Sequence, residues 1–353
     1  MSSRRVSHGS CRLNATLRVL AGLFAALLLG CPTYLAQQKS LPIVAVYPEF
    51  YRLVPKGASI EKIPIDFNPS RMPFKTSRHF TEGPVWDPRG FLLFSDIYGD
   101  KIYELAPGRK AEVFLSDAGY PNGLTFDRKG RLIICNQKLR RLERLEPDGS
   151  VTVLADKWEV MKLNCPNDVV VRDDGTIYFT DPFWHFPSCA AQELSFHAVW
   201  RITLEGRLKI AARDFSLPNG IAFSPDEKIL YVDDTVERTI YAFDVAPDGA
   251  LSGRRVFAVL QLKEGGAVDG MKVDERGDIF STGPGGIWVF DKRGRHLGTI
   301  HPPEIPANLA WGGKDYRTLY LAAPHAIYRI RTRVKGMITY ETRVRGMDFA
   351  RWR

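Results

Sequence analysis

Six polar side chains recur along the chain, each just ahead of a short apolar run. They are Glu82 in TEGPVW, Asn122 in YPNGLTF, Asn167 in CPNDVVV, Asn219 in LPNGIAF, Asp269 in VDGMKV and Asn308 in PANLAW. The steps between them are 40, 45, 52, 50 and 39 residues. Taken singly, an Asn-Gly or Asp-Gly pair is a turn signal, because Asn, Asp and Gly tolerate positive φ. Their common phase says more. If each apolar run is the innermost strand of a repeat, all six side chains converge on one end of a central channel. Glu82 and Asp269 then offer carboxylates, and Asn167 and Asn219 offer amide carbonyls, to a hard cation. With no His or Cys in the set, Ca2+ is favoured, Mg2+ and Mn2+ follow, Zn2+ comes last and copper is disfavoured. Two carboxylates match the charge of a dication, so the ion could be buried without leaving a net charge. The plainer alternative is a set of groups that hydrogen-bond one another around a wet channel.

A second set keeps the same phase. Fourteen residues after the first four landmarks stand Asp96, Asn136, Asp181 and Asp233, and after the last two Gly283 and Ala322. Residues fourteen apart in a hairpin face one another at the same end. Four repeats would thus stack two polar residues at the mouth, and two would present a small residue there.

The elements that must position these groups read as strands. LTFDRKGRLIIC, VVVRDDGTIYFT, IAFSPDEKILYV and MKVDERGDIFST are each an apolar run, an Asp/Gly turn and a second apolar run. No sustained helical period occurs after residue 40. Six landmarks at this spacing predict an all-β, six-bladed β-propeller over residues 81–353 with a metal site in its central channel. Residues 37–80 form an N-terminal extension expected to help close the ring. Segments near Ile43–Leu53 or Ile60–Phe67 are expected to pair with ITYETRVRG at 338–346.

The charge balance is split between leader and body. The 353 residues carry a formal net charge of +9, yet Arg4, Arg5, Arg12 and Arg18 all fall in the first 36 residues, which hold no acid. The rest has no basic run interleaved with aromatics, which argues against nucleic acid. The apolar run Val19–Gly30 is too short to span a bilayer comfortably and matches the core of a secretory signal over residues 1–36. Export to the periplasm or outside the cell is the expectation. Leu28-Leu29-Gly30-Cys31 resembles a lipobox, so a lipid anchor at Cys31 would be the one membrane link, and cleavage after Ala36 is the alternative. Beyond the leader, Cys135, Cys165 and Cys189 form neither a zinc pattern nor a disulfide framework. Buried or idle thiols are the favoured reading, with Cys165–Cys189 as the pair an oxidising compartment could join. Oligomeric state is not legible.

Glu-Gly-Pro-Val-Trp (82–86), Pro-Asn-Asp-Val (166–169), Phe-Thr-Asp-Pro (179–182), Pro-Asn-Gly-Ile-Ala-Phe-Ser-Pro-Asp (218–226), Asp-Gly-Met-Lys-Val-Asp (269–274) and Ala-Trp-Gly-Gly (310–313) occur in that order. With them the chain resembles the gluconolactonase and senescence-marker-protein (regucalcin) family of six-bladed propellers, from about residue 80 to about 330. The resemblance implies a divalent metal held by Glu82, Asn167, Asn219 and Asp269, and hydrolysis of small sugar lactones, with Asp269 activating water. Asn122, Asn136, Asp96 and Asp181 are the candidates for sugar hydroxyls, with structural hydrogen bonding an equal alternative at Asp181. Where regucalcin-like members place a sugar-binding Arg, this chain has Cys165. The stretch Asp181-Pro182-Phe183-Trp184-His185 also departs from the family pattern and is expected to reshape the rim. His185 and His197 read as surface residues, and no Gly-x-Ser-x-Gly or Ser/His/Asp arrangement is present. Two rivals stand beside the lactonase: a phosphotriesterase or arylesterase on the same site, and a cation-binding propeller that serves as a platform.

Overall fold

The computed structural model describes residues 42–65, 79–184, 189, 192–261 and 264–337. The Asp-containing turns explain why the hairpins form where they do. Asp87, Asp127, Asp274 and Asp291 each turn Oδ1 back onto the backbone N–H two residues on, at 2.8 to 2.9 Å. This Asx geometry closes a tight reversal between two apolar runs.

Among the described residues six antiparallel blade sheets result, five of four strands and one of five, beside a two-stranded ribbon of Lys157–Trp158 and Met161–Lys162. Blade 1 runs through Thr81–Asp87, Phe91–Asp96, Lys101–Leu105 and Glu112–Ser116. Blade 2 comprises Pro121–Phe126, Leu132–Asn136, Arg141–Leu145 and Val151–Ala155. Val169–Val171, Ile177–Asp181, Ala198–Ile202 and Leu208–Arg213 make blade 3. Blade 4 is Pro218–Phe223, Ile229–Asp234, Thr239–Val245 and Leu251–Val259. Blade 5 holds Met271–Val273, Ile279–Gly283, Gly286–Phe290 and His296–Ile300. Blade 6 begins with Asn308–Gly312, Thr318–Ala323 and Ala326–Arg331. The six-bladed all-β expectation is met.

Both N-terminal segments join sheets. Ile60–Ile63 is the fourth strand of blade 6, with Ile60 opposite Ile330 and Ile63 opposite Ile327. Ile43–Ala45 adds a fifth strand to blade 5, with Ile43 opposite Ile300. Their partners are thus Ala326–Arg331 and His296–Ile300. The expected partner ITYETRVRG lies outside the described residues, as does the leader.

Second strands are buried throughout, as in Phe91–Asp96 and Ile279–Gly283, while the outermost strand of blade 1 is largely open. The core lies between blades. Phe280, Ile287, Leu309 and Leu319 pack with Phe50 of the short 3-10 helix Pro48–Arg52, and Cys135, Phe179 and Trp200 pack between blades 2 and 3. Each such large apolar side chain contributes roughly 1.5–3 kcal/mol by leaving water, which fixes the inner strands and the residues they carry.

The cysteine expectation is corrected here. Cys165 and Cys189 form a disulfide with Cα atoms 5.7 Å apart, and Cys135 is a buried free thiol. The fold brings residues 24 positions apart into bonding distance, which spacing alone did not reveal.

Candidate active site at the channel mouth

The landmark residues sit at the leading ends of the inner strands, not in turns. Glu82, Asn122, Asn219 and Asn308 lie in the first two positions of theirs, and Asn167 and Asp269 stand two residues ahead of theirs. The glycine that follows most landmarks has a steric cause. A Cβ at Gly83 would stand 2.1 Å from the Asn122 carbonyl oxygen, and one at Gly220 would stand 2.2 Å from that of Asp269. Adjacent inner strands therefore approach closely enough to bring their side chains into one ring. Hydroxyls tie the blades across the same seam: Ser95 donates to the Asn122 carbonyl at 2.7 Å and Thr180 to that of Asn219 at 2.6 Å.

Glu82 Oε2 accepts from the Gly83 N–H at 2.6 Å and from Asn308 Nδ2 at 3.0 Å. Asn308 Nδ2 also reaches Asp168 Oδ2 at 3.5 Å. Lys272 Nζ donates to Asn308 Oδ1 at 3.3 Å and lies 3.6 Å from Asp168 Oδ2. Asn219 gives its Nδ2 to Thr235 Oγ1 at 3.0 Å and hydrogen-bonds the Asp269 carboxylate. Among the described residues, no donor reaches the buried Oδ1 atoms of Asn122 or Asn219.

Clustered carboxyls in a desolvated site resist ionisation. Burial pushes Glu82 up to about 7, and the neighbouring Asp168 adds to the rise, while Gly83, Asn308 and Lys272 draw it back. Asp269 is pushed well above the carboxylate range by burial and then by Glu82 and Asp168. Among the described residues, no group of three or more His, Cys, Asp and Glu stands ready to hold an ion. What the mouth does offer is carboxylates held against one another beside two buried amide oxygens that lack donors. Such a set of hard oxygen donors fits Ca2+ or a similar dication.

The second set of polar residues is tied to the protein's own loops. Asp181 accepts the N–H groups of Asn164 (2.9 Å) and Cys165 (2.7 Å) and the Trp200 indole N–H (2.9 Å). Burial raises it to about 6. Asp96 accepts from the backbone of Phe80 and Gly99 at 3.1 Å and pairs with His79. Asn136 donates to Glu143 at 3.0 Å and to the Ala118 carbonyl at 3.4 Å, and accepts the Leu139 N–H at 2.9 Å. These three anchor the loops that deliver Asn167, Glu82 and Asn122. Each is engaged by the protein's own groups, which at Asp181 accords with the structural alternative, and all three stay candidates for sugar hydroxyls. Of the four candidates, Asn122 alone keeps a buried acceptor without a donor.

Blade 4 needs a further correction. Thr81 pairs with Asp96 and Pro121 with Asn136, and the partner of Pro218 is Asp234. Asp234 accepts the N–H groups of Ser216 and Leu217 at 2.7 and 3.1 Å, so it, and not Asp233, is the loop anchor. Asp233 instead accepts the Gly220 N–H at 3.0 Å, and burial followed by Asp269 pushes its carboxyl well above the ordinary range.

Asp168, Lys272 and Asn308 were not chosen as site residues. Asn308 had a signal, since it is the sixth landmark in phase. Asp168 had one too, because it occupies the position after the landmark where four repeats have glycine. Lys272 had none. His197 is hydrogen-bonded to the Ser216 carbonyl at 2.7 Å on the surface, and His185 lies outside the described residues.

Fold and site together define a six-bladed propeller with an acidic, amide-lined centre at one channel mouth. Residues 80–325 match the SMP-30/Gluconolactonase/LRE-like region, and the chain belongs to that family. It is 30% identical over 284 residues to a gluconolactonase from Zymomonas mobilis, covering 73% of this chain and 80% of that protein. It is also 30% identical over 250 residues to regucalcin from Oryctolagus cuniculus, covering 69% and 82%. A solved gluconolactonase structure from Xanthomonas campestris superposes with a TM-score of 0.73 at 30% identity, covering 83% of this chain and 96% of that one.

Proposed function

We propose that the protein is a lactonase that opens small sugar lactones at the channel mouth with the help of one divalent cation, Ca2+ foremost. The convergence of Glu82, Asp168 and Asp269 with the donorless amide oxygens of Asn122 and Asn219 carries this assignment. Glu82, Asn167, Asn219 and Asp269 would hold the ion. When bound, such an ion supplies Lewis acidity toward the lactone carbonyl oxygen.

The remaining chemistry falls to side chains. Asp269 takes a proton from water as the water oxygen attacks the carbonyl carbon. The ring C–O bond then breaks, and its oxygen leaves as a hydroxyl with the proton that Asp269 returns, which gives the hydroxy acid and regenerates the carboxylate. A carboxylate whose desolvation raises its basicity suits that task, once a neighbouring positive charge keeps it ionised at working pH. Asn122 Oδ1 supplies an acceptor for a substrate hydroxyl. The Cys165–Cys189 disulfide, on the loop that carries Asn167, suits an oxidising compartment. It accords with export directed by residues 1–36 and an end at Cys31 or Gln37.

The test is turnover of five- and six-membered sugar lactones, aryl esters and phosphotriesters with and without chelator, after subtracting spontaneous hydrolysis. Lactone turnover that is lost with chelator and restored by Ca2+ is expected. Phosphotriester turnover above lactone turnover would overturn the substrate assignment, and full activity in chelator would overturn the cation.

A further inference from the structure

Lys272 stands three residues after Asp269, and none of the roles assigned above uses it. Its ammonium sits inside the channel. It donates to the Met271 carbonyl at 3.0 Å and to Asn308 Oδ1 at 3.3 Å, and stands 3.6 Å from Asp168 Oδ2. Asn308 in turn donates to Glu82 Oε2 and Asp168 Oδ2. One ammonium and one amide thus bind two ring carboxylates together. The Asp168 side chain is 3% exposed, so this pair is not a solvated surface contact that could be lost without consequence.

Charge arithmetic gives the pair a purpose. Glu82, Asp168 and Asp269 carry three negative charges when ionised. Lys272 offsets one and leaves two, the charge of a single dication. Asp233 accepts the Gly220 N–H at 3.0 Å and is present in every variant compared below.

We propose that Lys272 is a fixed positive charge of the site and sets the valence of the ion the ring accepts, matching it to a divalent cation. This rests on the cation site proposed above. Without Lys272, the ring holds one more uncompensated negative charge and favours a trivalent ion. At the separations involved, one unit charge changes binding by a factor of about ten or more at an effective dielectric of about 20.

The experiment measures Ca2+ and Tb3+ affinity by calorimetry and Tb3+ luminescence for wild type, Lys272→Met, Lys272→Arg, Asp168→Asn and the double variant Asp168→Asn/Lys272→Met. Lys272→Met should raise the Tb3+/Ca2+ affinity ratio about tenfold or more, while Lys272→Arg and the double variant stay within roughly threefold of wild type. Asp168→Asn, which keeps the lysine, should lower the ratio, and this arm decides the matter if Lys272→Met fails to fold. Equal ratios in all chains that bind both ions would overturn the role of Lys272 and leave the cation site standing. A rise in Lys272→Arg equal to that in Lys272→Met would also overturn it, since the effect would then follow shape and not charge. A wild type that binds neither ion would remove the cation site and this proposal together.

Discussion

Glu82→Gln separates what the ring costs the fold from what it does for binding. Burial holds the Glu82 carboxyl at about 7 instead of the ordinary 4.5. Its folded pKa is raised, so the stability it contributes is fully present below 4.5 and is lost as pH rises through about 7. At pH 8 the ionised form therefore costs the metal-free fold about 3 kcal/mol, on the order of 1.4 kcal/mol per tenfold change in proton affinity. The amide in its place would keep the size of the side chain and an oxygen that can accept the Gly83 N–H, but it would not ionise. In chelator at pH 8 the variant should be more stable than wild type by up to about 3 kcal/mol, and at pH 4.5 the two should nearly coincide. Added Ca2+ should reverse the order, because an ion bound only by the folded state stabilises by mass action and the variant binds it more weakly. Urea unfolding followed by tryptophan fluorescence, in chelator at both pH values and then with Ca2+, reads all three comparisons. A variant no more stable than wild type at pH 8 in chelator would refute the desolvated-carboxylate reasoning, whatever its activity.

Other perturbations probe the remaining parts. Asp269→Asn keeps a carbonyl oxygen but no base at neutral pH. With the metal site saturated by titration, kcat should fall roughly 10²–10⁴-fold, and full recovery would move proton transfer elsewhere. Reducing the Cys165–Cys189 bond, or Cys189→Ser, should lower stability by about 3–4 kcal/mol for a crosslink spanning 24 positions, and an unchanged urea midpoint would contradict this. Asp181→Ala leaves the N–H groups of Asn164 and Cys165 and the Trp200 indole without their acceptor, so it should destabilise the fold by several kcal/mol. Unchanged stability with a raised KM would instead make Asp181 a substrate contact. Mass spectrometry of the exported protein should find its start at Cys31 or Gln37, and an intact Met1 in a soluble cytoplasmic form would end the export assignment.

Repetition made the architecture legible. Each blade must bury the same inner hairpin, so apolar runs, Asp turns and polar landmarks recur in phase, and phase was enough to define six blades and one common end. Glu82 and Asp269 could be paired across 187 residues because both stand at the leading end of an inner strand. Register was not legible to the same depth. A count of fourteen picked Asp233 where the strand pairing selects Asp234, because a shift of one residue turns a side chain to the other face of the sheet.

Fold class, family and the end of the channel that carries the polar ring were thus all readable from the order of residues. Packing in three dimensions was needed to separate the polar groups spent on the fold from those that remain for a ligand. Asp96, Asn136 and Asp181 look as available as Asn122 in the sequence, yet backbone N–H groups from neighbouring loops occupy them. The same packing joined Cys165 to Cys189 and set Lys272 against Asp168 and Asn308. These outcomes depend on distances between segments far apart in the chain, and a repeat that fixes the phase of each strand leaves those distances to the contacts between blades.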